Sequence, residues 1–318
     1  MFEKRRYSVL AAMGLAAGTA FACASAASAE QPTIALPAGS PFPESLTATS
    51  DGTLYAGSLT NGGVVRARPG SAEAEVWIKP GAFGTRSTFG VLADEANGLL
   101  WVCSNDASRL GAKGPSDVEG SFVKGFDLKT GEGRISVALP SSPAICNDMA
   151  LGPDSSLYVS NTAQPQILRL PFGGSKMEVW VQDGRLKGGL DGLAFGADGY
   201  LYANTFISGE LFRFEVKAGS VGAIEKIETP RPLKFPDGLK ADGTGFLMVE
   251  GGGSLSRVTV EGGKATLTTI KEFAGPTGLA RVEDLIWVSE GQIVNLVDPS
   301  KKGQTPKSFQ FRAVKADR

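Results

Sequence analysis

The sequence predicts an all-β protein: a six-bladed β-propeller with four-stranded antiparallel blades around a central channel. Three observations carry that prediction. One phrase recurs six times with a period in the forties: a polar residue, a short apolar stretch, an Asp-Gly-type turn, then Leu-aromatic-Val or a close variant. Each copy continues into runs that alternate apolar and polar residues over four to eight positions, bounded by Gly, Pro, Asn and Asp, which is how strands read. After the first thirty residues, no window of eleven or more shows a helical period. Four strands repeated at that period make a propeller blade.

In chain order, the first segment lies outside the fold. Lys4, Arg5 and Arg6 form a basic n-region, Val9 to Ala22 is apolar and rich in small residues, and Ala27-Ser28-Ala29 offers an A-x-A cleavage site. Residues 1–29 are therefore expected to be a cleaved export signal, by the general or the twin-arginine route, and residues 30–318 a single propeller domain. The apolar run is too short to span a bilayer, so no membrane span is expected in the mature protein. Localisation is expected to be periplasmic or secreted.

The clearest copies open at Glu44 (leading to Leu54-Tyr55-Ala56), Asn147 (Leu157-Tyr158-Val159), Asp191 (Leu201-Tyr202-Ala203) and Asp237 (Leu247-Met248-Val249). Two weaker copies open at Gly90 and Thr277. The repeating Tyr55, Trp101, Tyr158, Tyr202 and Trp287, with Met248 as substitute, read as packing between blades. Third strands are expected at Gln166–Leu170, Glu210–Phe214 and Gln292–Leu296, and fourth strands at Ala74–Ile78 and Met177–Val181. The last outer strand is expected from either Thr33–Leu36 or Ser308–Arg312.

Composition narrows the chemistry. The 318 residues include 42 glycines and no histidine. Ser-His-Asp and Cys-His catalysis and imidazole-based zinc sites are thereby excluded. Without the signal segment the net charge is −3, since Glu3, Lys4, Arg5 and Arg6 leave with it. That balance gives no reason to expect nucleic acid as a partner. Cys103 and Cys146 could form a disulfide in an oxidising compartment or be two small buried hydrophobes.

The acidic residues fall into two classes. Asp51, Asp154, Asp198 and Asp242 occupy hairpin turns, where turn geometry alone accounts for them. Glu44, Asn147, Asp191 and Asp237 open inner strands and converge on the axis. They read either as strand-initiating residues or as ligands of a divalent cation, which would relieve the repulsion among three carboxylates. An all-oxygen set favours calcium, with magnesium or manganese as alternatives. Asp148 is a candidate outer partner, although strand alternation points it away from the axis. The longest loop, Asn105 to Gly120, carries Arg109 and Lys113 and is a candidate lid. Phe83, Arg86, Arg185, Lys187, Phe206, Arg231, Lys234 and Phe235 form a rim for a small anionic substrate or a partner surface.

Pro43-Glu44, Asn147-Asp148, Asp191-Gly192-Leu193 and Phe235-Pro236-Asp237-Gly238 resemble the motifs of the gluconolactonase and regucalcin (senescence marker protein) family. The resemblance runs through the whole mature chain. It implies a six-bladed propeller with one divalent cation, usually calcium, and hydrolysis of lactones or related esters. By the same resemblance Glu44 and Asp237 match metal-binding carboxylates and Asn147 matches the asparagine near metal and substrate. Asp191 falls where the family usually has a metal-binding asparagine. Ile145 stands where sugar-lactone hydrolases of the family tend to carry a substrate-holding arginine. The expected mechanism has the cation polarise a carbonyl while Asp237 activates water or attacks directly. A small-molecule lactone or ester is thus the expected partner of a monomeric enzyme. The alternative is a non-enzymatic propeller that binds a ligand or partner protein on its top face, with calcium as a structural plug.

Overall fold

The structure, a computed structural model, describes residues 1–2, 32–297, 300 and 306–316. The expected export signal therefore lies outside the described residues except for its first two. Six four-stranded antiparallel sheets form a six-bladed propeller. Regular helix among the described residues amounts to one four-residue turn, Val294–Val297, and four short 3-10 segments.

Blades one to five each use four consecutive strands, whereas blade six closes the ring. Its third strand is Gln310–Lys315, and its outer strand is Thr33–Ala35 from the other end of the described chain, with Ile34 opposite Phe311. Both terminal segments are thus used. The expected third strand at Gln292–Leu296 is not one: Gln292 takes a left-handed φ of 54°, and the segment curls into the short helix. Gln310–Lys315 takes the place beside Leu285–Ser289, burying Phe311 and Ala313.

Six apolar clusters hold the ring, each drawing mainly on two neighbouring blades. Tyr158 of blade three shows how. It meets Trp180 of its own blade edge-on, with ring centroids 5.0 Å apart, and Phe195 of blade four at 5.2 Å. Tyr202 of blade four likewise meets Phe246 of blade five at 4.6 Å. Burying each such ring contributes roughly 2–3 kcal/mol, so the repeated aromatic is a joint between blades.

Register corrects two of the expected repeat positions. In blade four Tyr202 lies opposite Ala194 and Ala203 opposite Leu193. In blade five Met248 lies opposite Leu239 and Leu247 opposite Lys240. Leu247, not Met248, therefore occupies the aromatic position. The cause is a tighter turn, with Asp242 pairing directly with Gly245. Blade two deviates in the opposite sense. A 3-10 turn at Glu95–Asn97 lengthens its hairpin by one residue, so the residue equivalent to Asn147 is Phe89 rather than Gly90.

Candidate metal centre in the channel

The inner strands of blades two to five share one irregularity. Pairing runs Cys146↔Asn161 and then Met149↔Val159, so Asn147 and Asp148 together face one residue of the second strand. The same bulge falls at Phe89-Gly90, Asp191-Gly192 and Asp237-Gly238. A bulge breaks strand alternation and re-aims side chains. In blades two, four and five the second residue of the pair is glycine. A Cβ on Gly192 would lie 2.3 Å from the carbonyl oxygen of Asp237, and one on Gly90 only 1.9 Å from that of Asn147. These glycines are there for close approach between blades, not for a turn.

Glu44, Asp191 and Asp237 are brought together, each offering a carboxylate oxygen within 4.8 Å of the others. All three are buried, as is Asn147. The Asn147 amide donates to Asp191 Oδ2 at 3.0 Å and to Thr162 Oγ1 at 2.9 Å. Burial first, then mutual repulsion among the channel carboxylates, pushes Glu44, Asp191 and Asp237 well above the ordinary carboxylate range. Glu44 Oε2 and Asn147 Oδ1 are buried without a hydrogen-bond partner. Three crowded carboxylates and two orphaned oxygens fit a hard divalent cation, because the same atoms left bare are unfavourable on every count.

Asp148 departs from the expectation that it faces away from the axis. Its carboxylate accepts from the Leu193 N–H of blade four at 3.1 Å and pairs with Lys240 of blade five at 3.2 Å. The bulge turns it into the ring, where it adds to the repulsion felt by all three clustered carboxylates. The remaining opening positions carry no carboxylate. Thr277 Oγ1 donates to the Pro43 carbonyl at 2.8 Å, tying down the residue before Glu44, while Phe89 belongs to the buried apolar cluster between blades two and three.

Residue-by-residue reading missed the groups that brace these positions. Asn204 accepts from the Gly192 N–H at 3.0 Å and donates to the Asp237 carbonyl at 2.7 Å. Asn105 bonds both the N–H and the carbonyl of Cys146 in the next blade, and Asn161 accepts from the Ile145 N–H at 3.0 Å. A signal was present: second strands end in polar residues, Ser160-Asn161 and Asn204-Thr205 at one phase of the repeat and Ser104-Asn105 one residue later. Lys240 had none, because its partner is 92 residues away. Phe42-Pro43-Glu44 and Phe235-Pro236-Asp237 also share a feature invisible in sequence. Both phenylalanines take a left-handed φ of 53°, a strain of order 1–2 kcal/mol each that delivers the following acid to the channel.

The long loop of blade two is fastened to its base: Arg86 bonds the Lys113 carbonyl at 2.7 Å and pairs with Asp106 at 3.2 Å. Arg231 is engaged with buried Glu250, and Arg185 with Asp183. Among the described residues, no helix is long and apolar enough to cross a membrane.

Neither a protein-family profile nor a curated protein matches the chain. Solved structures do. A gluconolactonase from Xanthomonas campestris aligns at TM-score 0.63 and 15% identity, over 90% of this chain and 88% of that one. A structure described as a putative gluconolactonase aligns at TM-score 0.64 and 14% identity, over 90% and 93% of the two chains. Virginiamycin B lyase from Staphylococcus aureus aligns at TM-score 0.58 and 17% identity, over 85% and 79%. The fold is therefore a gluconolactonase-like propeller, related also to that lyase.

Proposed function

We propose that this protein is an exported hydrolase of lactones or related esters that works with one divalent cation, calcium foremost, held by Glu44, Asn147, Asp191 and Asp237. One observation carries the reading: three buried carboxylates within 4.8 Å of one another, with orphaned oxygens on Glu44 and Asn147 beside them. The cation would supply Lewis acidity toward a carbonyl oxygen. Asp237 is the proton acceptor or nucleophile, and Asn204 fixes its main chain. Asn147, anchored through Thr162 and Asp191, orients the substrate oxygen beside it.

Hydrolysis is preferred over elimination on chemical grounds. A histidine-to-alanine variant of the S. aureus lyase is catalytically inactive, and this chain has no histidine. Phe42, Ile145 and Phe235 each stand two residues before a proposed ligand, and Phe89 takes the ligand-equivalent place in blade two. They favour an apolar ring or chain over a polyhydroxylated lactone, because each hydroxyl left without a partner costs about 1–3 kcal/mol. The basic and apolar leader and the Cys103–Cys146 disulfide both support export to an oxidising compartment.

The test is a panel of alkyl, aryl and sugar lactones, assayed with and without chelator on the wild-type protein and on Asp237→Asn. Chelator-sensitive turnover that disappears in the variant is expected. Activity that survives Asp237→Asn would overturn the assignment, and bound calcium without turnover of any ester would favour the non-enzymatic propeller.

A further inference from the structure

Blade two contributes no metal-binding oxygen, since Phe89 occupies its place in the ring, yet it grips the strand that carries Asn147 at three points. The residue facing each bulge shows what that position does. In blade four it is Asn204, which bonds its own bulge at Gly192 and the Asp237 carbonyl of the next blade. In blade three it is Ser160, bonded to the Asp148 N–H at 2.9 Å. In blade two it is Cys103, which forms a disulfide with Cys146 of blade three, the residue immediately before Asn147.

Asn105 closes on the same residue. Its Nδ2 donates to the Cys146 carbonyl at 2.8 Å, and its Oδ1 accepts the Cys146 N–H at 2.9 Å. Sulfur, N–H and carbonyl of Cys146 are thus all held by the neighbouring blade, and Cys103, Asn105 and Cys146 are all fully buried or nearly so. Asn147 needs such a grip more than the other ligands do. Charge draws the carboxylates to a cation, whereas a neutral amide oxygen must be placed in advance.

We infer that Cys103, Cys146 and Asn105 are positioning residues for the metal centre: their clamp presents Asn147 Oδ1 to the cation, so the affinity of the channel for a divalent ion depends on the disulfide. This rests on the reading of the channel as a divalent-cation site.

Calorimetric titration of the full-length mature protein with calcium tests it. The comparison is among wild type, Cys103→Ala/Cys146→Ala, Asn105→Ala and Ile167→Val; the last thins the core of blade three without touching the clamp. About tenfold or greater weakening of the calcium Kd is expected in both clamp variants, with Ile167→Val at the wild-type value. Clamp variants that melt at lower temperature but bind calcium as wild type does would overturn the inference while leaving the metal reading intact. Equal weakening in Ile167→Val would also overturn it. A wild-type protein that binds no divalent ion would remove the metal reading itself. If the double variant does not fold, Asn105→Ala decides the matter, because its disulfide remains.

Discussion

Metal-free protein should melt at progressively lower temperature as the pH is raised above the ordinary carboxylate pKa of about 4, and calcium should abolish that dependence. In the folded chain burial and mutual repulsion raise the pKa of Glu44, Asp191 and Asp237. At a given pH the folded state then binds more protons than the unfolded one, so unfolding releases protons and stability falls as pH rises. The loss begins near the unfolded carboxylate pKa, about 4, and continues until the folded values are passed. Each carboxylate protonated only in the folded state gives about 1.4 kcal/mol per pH unit. A domain of about 285 residues has a melting entropy near 0.6 kcal/mol/K, so one such group moves Tm by roughly 2 °C per pH unit and two by roughly 4–5 °C. Carboxylates with lowered pKa work elsewhere. Asp183, held at about 2 by Arg185, loses its contribution only as pH falls below the unfolded value of about 4. Differential scanning calorimetry on chelator-treated protein, with and without saturating calcium, measures both slopes. A Tm that is flat or rising across this window without metal would refute the account of the channel as three repelling carboxylates.

Other changes test the same geometry at separate points. Asp191→Asn keeps the contact with Asn147 and removes one buried charge; it should raise the Tm of the metal-free protein and weaken calcium binding about 10–100-fold by titration. Gly192→Ala drives a Cβ to within 2.3 Å of the Asp237 carbonyl and should cost at least about 3 kcal/mol in chemical unfolding, with loss of metal binding. Cys103→Ala/Cys146→Ala opens a loop of 43 residues, which in the chain-entropy treatment costs about 4 kcal/mol, a Tm loss of roughly 6–8 °C. Arg231→Met strands the buried Glu250 carboxylate and should cost about 2–4 kcal/mol in the same unfolding assay.

Much of the candidate site was legible because the propeller is a repeat: a residue at one phase of each inner strand must face the axis whatever its identity. Glu44, Asn147, Asp191 and Asp237 follow from counting back to the Leu-aromatic strand. The same counting failed at Gly90 and Met248, where a hairpin one residue longer or shorter shifts the phase. It failed again at Asp148, where strict alternation was assumed across a bulge.

The sequence by itself determined the all-β class, the six-fold repeat and the placing of oxygen-bearing residues at one phase of the inner strands, because period, turn chemistry and residue type are local facts about the chain. Tertiary structure alone decided that Thr33–Ala35 closes the ring, that Lys240 pairs with Asp148 across the ring, and that blade two holds Cys146, the residue before Asn147, through a disulfide. Those contacts join segments whose separation carries no periodic signal. They exist only once neighbouring blades press together closely enough for one strand's side chains to hold the next strand's main chain.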